Sequence, residues 1–396
     1  MKEGAKVILG VTGGIAAYKS ALLTRELIKH GAAVRVIMTD SAREFITPLT
    51  LQTLSGSPVG TGMFSPWKEA EMAHISLADF ADIVVIAPAT ANIIGKIAGG
   101  IADDLLTTTV LATQAPVLLC PAMNAGMLAK AAVRENMEKL AARGYFLLEP
   151  VFGELACKTE GAGRLPAIEE IVEEMETILT AKDLSGERIL VTAGPTREPL
   201  DPVRFITNYS SGKMGYALAL MAKRRGADVT LISGPTALFP PRGVRVVGVS
   251  SAREMRDAVM EYWGPATVII KAAAVADYRP AVCENSKIKK KGDRLLLQLE
   301  KNPDIIAELG KIKGDRLVIG FAMESENLLE NARDKLKRKN MDYIVANLLT
   351  SEGAGFECDT NIVTIIGQDG SIVELPLMEK MKVADKILDK VRDRAR

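Results

Sequence analysis

The order of a β-branched run, a glycine turn, a helical pattern and a second β-branched run occurs twice in the chain. The first copy has its strands at residues 7–11 and 34–38, and the second has them at residues 188–192 and 229–233. Two parallel strands need a crossover between them, and a helix usually supplies it. Each copy therefore predicts the start of an open, mostly parallel α/β sheet.

Further apolar runs alternate with helical patterns and extend both sheets. The strand candidates are residues 83–87, 117–120, 268–272, 317–321 and 343–346. Near the C-terminus, residues 362–366 and 372–375 flank Gln-Asp-Gly, a turn sequence that favours an antiparallel hairpin. We therefore predict two doubly wound, Rossmann-like α/β domains of three layers, with an added antiparallel hairpin in the second.

A helix and a turn mark the boundary between the two halves. Residues 168–179 have a helical pattern, and residues 181–186 then supply turn residues. We accordingly place the first domain at residues 1–180 and the second at residues 187–396. The second domain should end in a docking helix whose inward positions are Leu377, Met381, Ala384, Leu388 and Val391.

Charge and composition exclude several kinds of partner. The 396 residues include 50 basic and 49 acidic side chains, so a net charge of +1 offers no general attraction for nucleic acid or an anionic membrane. The apolar stretches near residues 83–102 and 115–132 contain prolines and polar residues, so we expect no membrane span. Four scattered cysteines without a CxxC pair argue against a zinc site and a secreted disulfide framework, and they favour the cytoplasm.

Polar residues follow several strands of the first half at one predicted sheet edge, where ligands of open α/β sheets collect. The turn after the first strand offers backbone N–H groups at the start of a helix, which suit a phosphate. Because the full GxGxxG pattern is absent, a flavin or a nucleotide monophosphate is favoured over a dinucleotide. The alternative is a tight connection without a ligand. The candidate cofactor-binding residues are Gly13, Gly14, Ile15, Thr39, Pro88, Thr90 and Asn92.

One histidine and one cysteine of the first half are suited to proton transfer. His74 is one of only two histidines and could accept a proton near neutral pH, although a structural role is the alternative. Cys157, beside Lys158, lies in a glycine-bounded stretch that could close over a site as a flap. Cys120, on an apolar strand, is more simply a core residue.

The ordered motifs of residues 1–180 resemble those of the flavin-containing cysteine decarboxylases. The motifs are GVTGGIAAYKS, the His74 segment, APATAN, GGIADDLLTTT, PAMN and the Cys157 segment. The resemblance implies a flavodoxin-like fold, bound FMN, a histidine base at His74, an asparagine at Asn124 that grips the substrate carboxylate, and a proton-donating cysteine at Cys157. The chain departs from the pattern at Lys158, where many relatives carry glycine.

The implied chemistry explains why these residue types occur together. A simple carboxylate does not lose CO₂ readily, because the electrons left behind have no acceptor. Oxidation of the substrate's cysteinyl thiol by FMN gives a thioaldehyde that accepts them, and an enethiol forms as CO₂ leaves. Reduction of the enethiol then needs a proton, which a thiol such as that of Cys157 supplies.

The second half contains a long polar loop and two groups of lysines. The loop at residues 192–215 is richer in turn and polar residues than a connection needs. An extended chain at residues 286–292 would place three lysines on one face as a cradle for a triphosphate: Lys287, Lys289 and Lys291. Lys335 and Lys339 are four apart on a predicted helix and point the same way. Solvated lysines and a capped helix after a long loop are the alternatives.

The motifs of residues 187–396 resemble those of the phosphopantothenate–cysteine ligases. They are TAGPTREPLDPVRFITNYSSGKMG, AAAVADYR, KIKK, KNPD, GFA and the paired lysines. The resemblance implies that the carboxylate of 4′-phosphopantothenate attacks CTP, with Mg²⁺ and lysines offsetting charge, and that cysteine displaces CMP from the acyl-cytidylate. Asn208 would handle this intermediate, and Lys287 would assist its formation. The implied CTP site is Asp277, Lys287, Pro303, Asp304, Ile305, Ile306, Phe321, Lys335 and Lys339, and the sequence identifies no metal ligands.

The order of the halves resembles that of the bifunctional coenzyme A biosynthesis proteins, since one half forms the amide whose carboxylate the other removes. The substrates implied are 4′-phosphopantothenate, cysteine and 4′-phosphopantothenoylcysteine. A homo-oligomer is also implied, with trimeric contacts in the first half, where His74 and Asn124 meet across an interface, dimeric contacts in the second, and a dodecamer if both form. Two rivals are an NAD-dependent dehydrogenase, which the glycine turns alone favour, and a non-enzymatic flavoprotein regulator, against which the full ligase half argues.

Overall fold

Apolar strands alternate with helices in two units, Met1–Thr180 and Ala181–Arg396. The computed structural model describes residues 4–63, 73–154, 160–289, 295–324, 328–348 and 358–394. The turn before the second copy belongs to the second unit, because the Leu184 side chain is in its core and the Leu184 N–H donates to the Arg225 carbonyl at 2.9 Å.

The strands of the first unit are β1 (Lys6–Val11), β2 (Ala33–Met38), β3 (Val59–Gly60), β4 (Ile83–Ala89), β5 (Val117–Pro121), β6 (Phe146–Leu147), β7 (Val151–Glu154) and β8 (Glu160–Arg164). Its helices are α1 (Lys19–Lys29), α2 (Asp40–Arg43), α3 (Pro48–Ser55), α4 (Ala73–Phe80), α5 (Ala91–Gly99), α6 (Leu105–Ala112), α7 (Ala125–Leu128), α8 (Ala131–Ala142) and α9 (Ile168–Leu179). A short 3₁₀ helix, Ile15–Tyr18, precedes α1.

The first unit is built on a parallel sheet with the order β3-β2-β1-β4-β5-β6. Every residue of β4 is buried, because helices cover both faces of the sheet and form a separate apolar core on each. The order of the longer strands, β2-β1-β4-β5-β6, is the flavodoxin order, to which β3 adds a two-residue edge. The predicted flavodoxin-like, three-layer fold is confirmed.

The strands of the second unit are β9 (Arg188–Ala193), β10 (Arg197–Pro199), β11 (Phe205–Thr207), β12 (Asp228–Ser233), β13 (Arg245–Gly248), β14 (Val268–Lys271), β15 (Tyr278–Pro280), β16 (Leu299–Lys301), β17 (Leu317–Glu324), β18 (Tyr343–Leu348), β19 (Thr360–Gly367) and β20 (Ile372–Glu379). Its helices are α10 (Lys213–Arg224), α11 (Ala252–Tyr262), α12 (Ile305–Ile312), α13 (Leu328–Arg338) and α14 (Lys380–Arg394).

The main sheet of the second unit has the order β13-β12-β9-β14-β17-β18-β19-β20. The six strands from β13 to β18 are parallel and have the Rossmann order, and β19 and β20 add the predicted antiparallel hairpin. Two small antiparallel sheets, β10–β11 and β15–β16, lie outside this main sheet.

The C-terminal helix α14 packs against α10, β19 and β20, as the predicted docking helix should. Its Ala384, Leu388 and Val391 side chains are buried. The assignment of Leu377 to this helix is wrong, because β20 continues to Glu379 and leaves the Leu377 side chain 51% exposed. β20 pairs with β19 on both sides of Leu377, at Leu375 and at Met378, and the helix begins only at Lys380.

Candidate active sites

A cavity of about 1060 Å³ opens at the carboxyl edge of the first sheet, beside the reversal of strand order between β1 and β4. The segments that follow β1, β2, β4 and β5 supply its walls. It is lined by all the predicted cofactor-binding residues and by the predicted carboxylate ligand, which are Gly13, Gly14, Ile15, Thr39, Pro88, Thr90, Asn92 and Asn124. The fold thus brings together residues that lie more than one hundred positions apart in the chain.

Close packing explains the first glycine of the turn. A Cβ on Gly13 would collide with Ser41, so a larger residue would push the turn away from α2. The Thr12 hydroxyl donates to the Pro88 carbonyl at 2.7 Å and accepts from the Thr90 N–H at 3.2 Å. The ends of β1 and β4 are therefore fastened together next to the backbone that opens the 3₁₀ helix.

Asn124 and His74 have different surroundings. Asn124 lies at the start of α7, where its Oδ1 accepts from the Gly126 N–H at 2.8 Å, and it lines the cavity. His74 is half-buried on α4 and is not among the described residues that line the cavity. The predicted base and the predicted carboxylate ligand are therefore not brought together by the cavity of one chain. Cys157 and Lys158 lie outside the described residues.

The β7–β8 hairpin, in the stretch that we predict to be a flap, contributes Glu154, Gly163 and Arg164 to the cavity wall. The Met123 N–H donates to the Gly163 carbonyl at 3.0 Å, and a Cβ on Gly163 would collide with the Met123 carbonyl oxygen. Gly163 also has a φ of 148°, which favours glycine. The hairpin is thus seated on the segment that carries Asn124.

Sequence reasoning missed the cations of the cavity. Lys96 lies 2.7 Å from Asp103 and 3.3 Å from Asp104, and its hydrogen bond to Asp103 raises the pKa of Lys96. Lys19 and Arg164 also line the cavity, and partial burial together with the positive charge of Arg164 lowers the pKa of Lys19. The sequence positions of two of these cations could have identified them. Lys19 lies one helical turn after Ile15, and Arg164 ends the glycine-rich stretch.

Charged residues predicted to bind the nucleotide converge near the carboxyl end of β14 in the second unit. The Lys339 Nζ lies 2.9 Å from the Asp304 Oδ2. Lys271, the last residue of β14, interacts electrostatically with this pair and with Asp277. Burial, reinforced by the charge of Lys339, lowers the pKa of Lys271 to about 8. Sequence reasoning missed Lys271, because its charged neighbours come from distant parts of the chain.

The predicted nucleotide residues at the start of α12 present mainly backbone. Asp304 caps the helix, since its side chain accepts from the Ala307 N–H at 3.2 Å. The side chains of Ile305 and Ile306 are buried in the apolar core, so only their backbone groups can reach a nucleotide. Phe321 is half-buried on β17 and packs against the core.

The described part of the predicted extended lysine run, residues 286–289, belongs to no strand. The backbone at Ile288 forms hydrogen bonds with side chains instead of with a neighbouring strand. The Ile288 N–H donates to Asp201 at 3.0 Å, and Arg204 donates to the Ile288 carbonyl at 2.9 Å. The lysines of the run are Lys287 and Lys289, which are exposed, and Lys291, which lies outside the described residues.

The remaining predicted ligase residues lie on a loop and at a helix end. The Asn208 Nδ2 donates to the Ala274 carbonyl at 3.4 Å. Because α13 ends at Arg338, Lys335 is in its last turn and Lys339 lies one residue beyond the helix. The Lys339 N–H nevertheless donates to the Lys335 carbonyl at 3.0 Å, so the backbone of the two lysines keeps the hydrogen bond of a helical turn.

Within the described ranges, no group of three or more His, Cys, Asp and Glu side chains is arranged to hold a metal ion. In the same part of the chain, none of the helices combines the length and the apolar character needed to cross a membrane. Cys120 is buried in the core as predicted, and burial raises the pKa of its thiol.

Comparison with known proteins accounts for both units. A family described as flavoprotein matches residues 1–180, and the C-terminal domain of the DNA/pantothenate metabolism flavoproteins matches residues 184–394. The chain is 47% identical over 393 residues to the coenzyme A biosynthesis bifunctional protein CoaBC of Vibrio cholerae, with 98% of each chain covered. The chain belongs to the bifunctional coenzyme A biosynthesis proteins. The Bacillus subtilis CoaBC is likewise 47% identical over 395 residues, which cover 99% of this chain and 97% of that protein.

Among solved structures, the chain is similar to the C-terminal domain of a CoaBC protein, with 47% sequence identity and a TM-score of 0.47. The match covers 54% of this chain and 98% of the solved domain. Membership in the CoaBC family confirms the resemblance to the bifunctional coenzyme A biosynthesis proteins that the sequence motifs indicated. This chain is a bifunctional enzyme of coenzyme A biosynthesis that acts by decarboxylation and ligation. The dehydrogenase and regulator alternatives are therefore set aside.

Proposed function

We propose that the first unit uses FMN to decarboxylate 4′-phosphopantothenoylcysteine, and that the second uses CTP and Mg²⁺ to join 4′-phosphopantothenate to cysteine. One observation carries this proposal for the first unit. All the predicted flavin residues and Asn124 line a single cavity at the carboxyl edge of the first sheet. The scattered cysteines support a cytoplasmic location for both reactions.

The cavity is suited to FMN in volume and in its hydrogen-bond donors. A volume of about 1060 Å³ is at the upper end of ordinary cofactor sites, so it has room for a flavin and a second ligand. The backbone of Gly13 to Ile15, with Thr39 nearby, would hold the phosphate at the start of the 3₁₀ helix. Bound FMN supplies the two-electron oxidation, and the later reduction, of the substrate's cysteinyl group.

The remaining steps of the decarboxylase need groups that hold the substrate and move protons. The Asn124 amide nitrogen would donate to the substrate carboxylate, while its Oδ1 stays bonded to the Gly126 N–H. His74 would accept a proton from the thiol, and Cys157 would give one to the final product. Since His74 is not among the described residues lining its own cavity, we propose that it serves the cavity of a neighbouring subunit in a trimer.

In the second unit, cations and backbone groups would act on the nucleotide. Lys287, Lys335 and Lys339 would offset the negative charge of the triphosphate as pyrophosphate leaves. The backbone at Pro303 to Ile306, with Asp277 and Phe321, would hold the nucleoside. Asn208 would hold the acyl-cytidylate while the cysteine amine displaces CMP.

Magnesium and the assembly state complete the proposal. Mg²⁺ usually binds through one or two carboxylates and the phosphates of the substrate. This coordination preference is compatible with the described residues, which form no group of three or more metal-binding side chains. Mg²⁺ would therefore enter the site together with CTP. We propose dimeric contacts between ligase units, which together with the trimeric contacts of the decarboxylase units generate a dodecamer.

The test is incubation of the purified protein with 4′-phosphopantothenate, cysteine, CTP and Mg²⁺, with mass spectrometry of the products. We expect 4′-phosphopantetheine, CMP, pyrophosphate and CO₂, and we expect the amide to be absent when CTP is omitted. Formation of the amide without its decarboxylation, in protein that contains FMN, would contradict the proposal for the first unit.

The variant Cys157→Ser tests the proton-donor role within the same assay. Serine is a much weaker acid than a thiol, so the variant should release CO₂ from 4′-phosphopantothenoylcysteine but fail to complete the final reduction. Unreduced product should accumulate, as detected by mass spectrometry. Normal multiple-turnover formation of 4′-phosphopantetheine would remove Cys157 from the mechanism.

A further inference from the structure

Two cations in the wall of the first cavity have no part in the chemistry derived above. Lys19 is the first residue of α1, and Arg164 is the last residue of β8. Both line the cavity, and neither forms an ion pair with any acidic residue in the part of the chain that the structure describes. Lys96, a third cation of the cavity, is by contrast held by Asp103 and Asp104.

Lys19 and Arg164 line the same cavity and come from different segments of the chain, the start of α1 and the end of β8. Partial burial lowers the pKa of Lys19, and repulsion from the positive charge of Arg164 lowers it further. Two like charges held together in a cavity are unfavourable until an anion lies between them. Arg164 presents a planar fork suited to two oxygens of one phosphate, and Lys19 adds a compact charge. The arrangement fits a phosphate monoester.

The phosphate position at the glycine turn is a different place. Lys19 is four residues after Ile15, so its backbone lies roughly 6–8 Å further along the helical axis than the turn. Arg164 belongs to the β7–β8 hairpin rather than to the segments around the turn. A ligand held at the glycine turn therefore leaves the second anion position available.

We propose that Lys19 and Arg164 form a binding site for the phosphate of the decarboxylase substrate. The inference rests on the proposed function, which gives that substrate two acidic groups. Its carboxylate leaves as CO₂, whereas its phosphate is retained in the product. A contact to the phosphate is equal before and after the reaction, so it acts on substrate affinity more than on the chemical step. Lys19 and Arg164 are specificity-determining residues in this scheme.

The first experiment compares 4′-phosphopantothenoylcysteine with unphosphorylated pantothenoylcysteine, with CO₂ release as the measured rate. The variants are Lys19→Gln and Arg164→Gln, and Lys29→Gln is the control because Lys29 lies on the same helix, is 59% exposed and pairs with Glu26. Loss of one charged hydrogen bond should raise KM for the phosphorylated substrate by about 10- to 100-fold. The unphosphorylated substrate should be used with nearly unchanged KM, and the control should match the parent protein.

The second experiment measures binding without turnover. Titration of 4′-phosphopantetheine and pantetheine into FMN-loaded protein, followed by flavin fluorescence, should show a preference for the phosphorylated compound that both glutamine variants lose. The same samples report FMN content by absorbance, which should not change. Equal weakening for both compounds, or loss of FMN with the phosphate preference intact, would overturn the assignment. Because this assay needs no decarboxylation, failure of the proposed function is distinguishable from failure of the phosphate site.

Discussion

Arg225 shows how one residue ties the terminal segments of the second unit together. Its side chain is 3% exposed and lies 2.8 Å from Asp183, 3.0 Å from Asp385 and 3.1 Å from Asp389. Removing Arg225 takes the shared cation from three partly exposed carboxylates, and the loss of these charged hydrogen bonds destabilises by about 1–3 kcal/mol. Arg225→Met should lower the free energy of unfolding of this unit by that amount, as measured by urea denaturation. Arg392→Met is the control, because Arg392 is 32% exposed and should contribute about 1 kcal/mol or less.

The pH dependence of the same cluster has a defined sign. Burial alone would raise the pKa of Asp183, but its hydrogen bonds to Arg225 and the positive charges of Arg225 and Arg392 together outweigh burial, so the pKa of Asp183 is lowered. A carboxylate with a lowered pKa in the folded state adds stability above its ordinary pKa and loses this contribution as the pH falls. The effect of Arg225→Met should therefore be largest near neutral pH and shrink below about pH 4. An effect of the same size across this range would show that lost packing, rather than charge, is responsible.

At the scale of elements, the seating of the β7–β8 hairpin depends on Gly163. A Cβ there would collide with the Met123 carbonyl oxygen, and the φ of 148° disfavours any side chain. Gly163→Ala should lift the hairpin and reduce decarboxylation by about tenfold or more, since small displacements near a site are costly. Ligation should be unchanged, because it belongs to the other unit. Gly144→Ala is the control. Gly144 also has a positive φ, of 88°, but a Cβ there would meet no neighbouring atom, so this variant should retain decarboxylation.

The long parallel strands could be predicted because both of their faces are buried. The run at residues 83–87 is wholly apolar and is the core of β4, which extends only two residues further. The strands of β10–β11 and β15–β16 have three residues each, too few to show an alternating pattern. Leu377 fits the helical spacing of the C-terminal segment but belongs to β20, because pairing with β19 outweighs local pattern.

The first cavity could be anticipated for a geometric reason. The carboxyl ends of parallel strands meet at one edge, so residues after β1, β2 and β4 converge wherever helices follow each strand. Lys271 could not be anticipated in this way, since its charged neighbours Asp304 and Lys339 come from the ends of two later helices. The packing of elements that are distant in the sequence determines which charges surround Lys271, and the spacing of residues along the chain does not predict that packing.

At the scale of the whole molecule, each unit has its own sheet, cores and candidate site. The reaction sequence then requires only that the amide leave one site and enter the other. Lys287→Ala should abolish ligation and spare decarboxylation, and His74→Asn should do the reverse. Neither variant alone should convert 4′-phosphopantothenate into 4′-phosphopantetheine.

An equimolar mixture of the preformed Lys287→Ala and His74→Asn proteins should restore that conversion, because the intermediate is a small, water-soluble molecule. The time course should show a lag while 4′-phosphopantothenoylcysteine builds up in solution, and mass spectrometry should detect it free. Added pantothenoylcysteine should lengthen the lag in proportion to its use by the decarboxylase unit. A mixture that forms the amide but never the decarboxylated product would mean that the intermediate reaches the second site only within one assembly, so that the two units act as one catalytic system despite their separate cores.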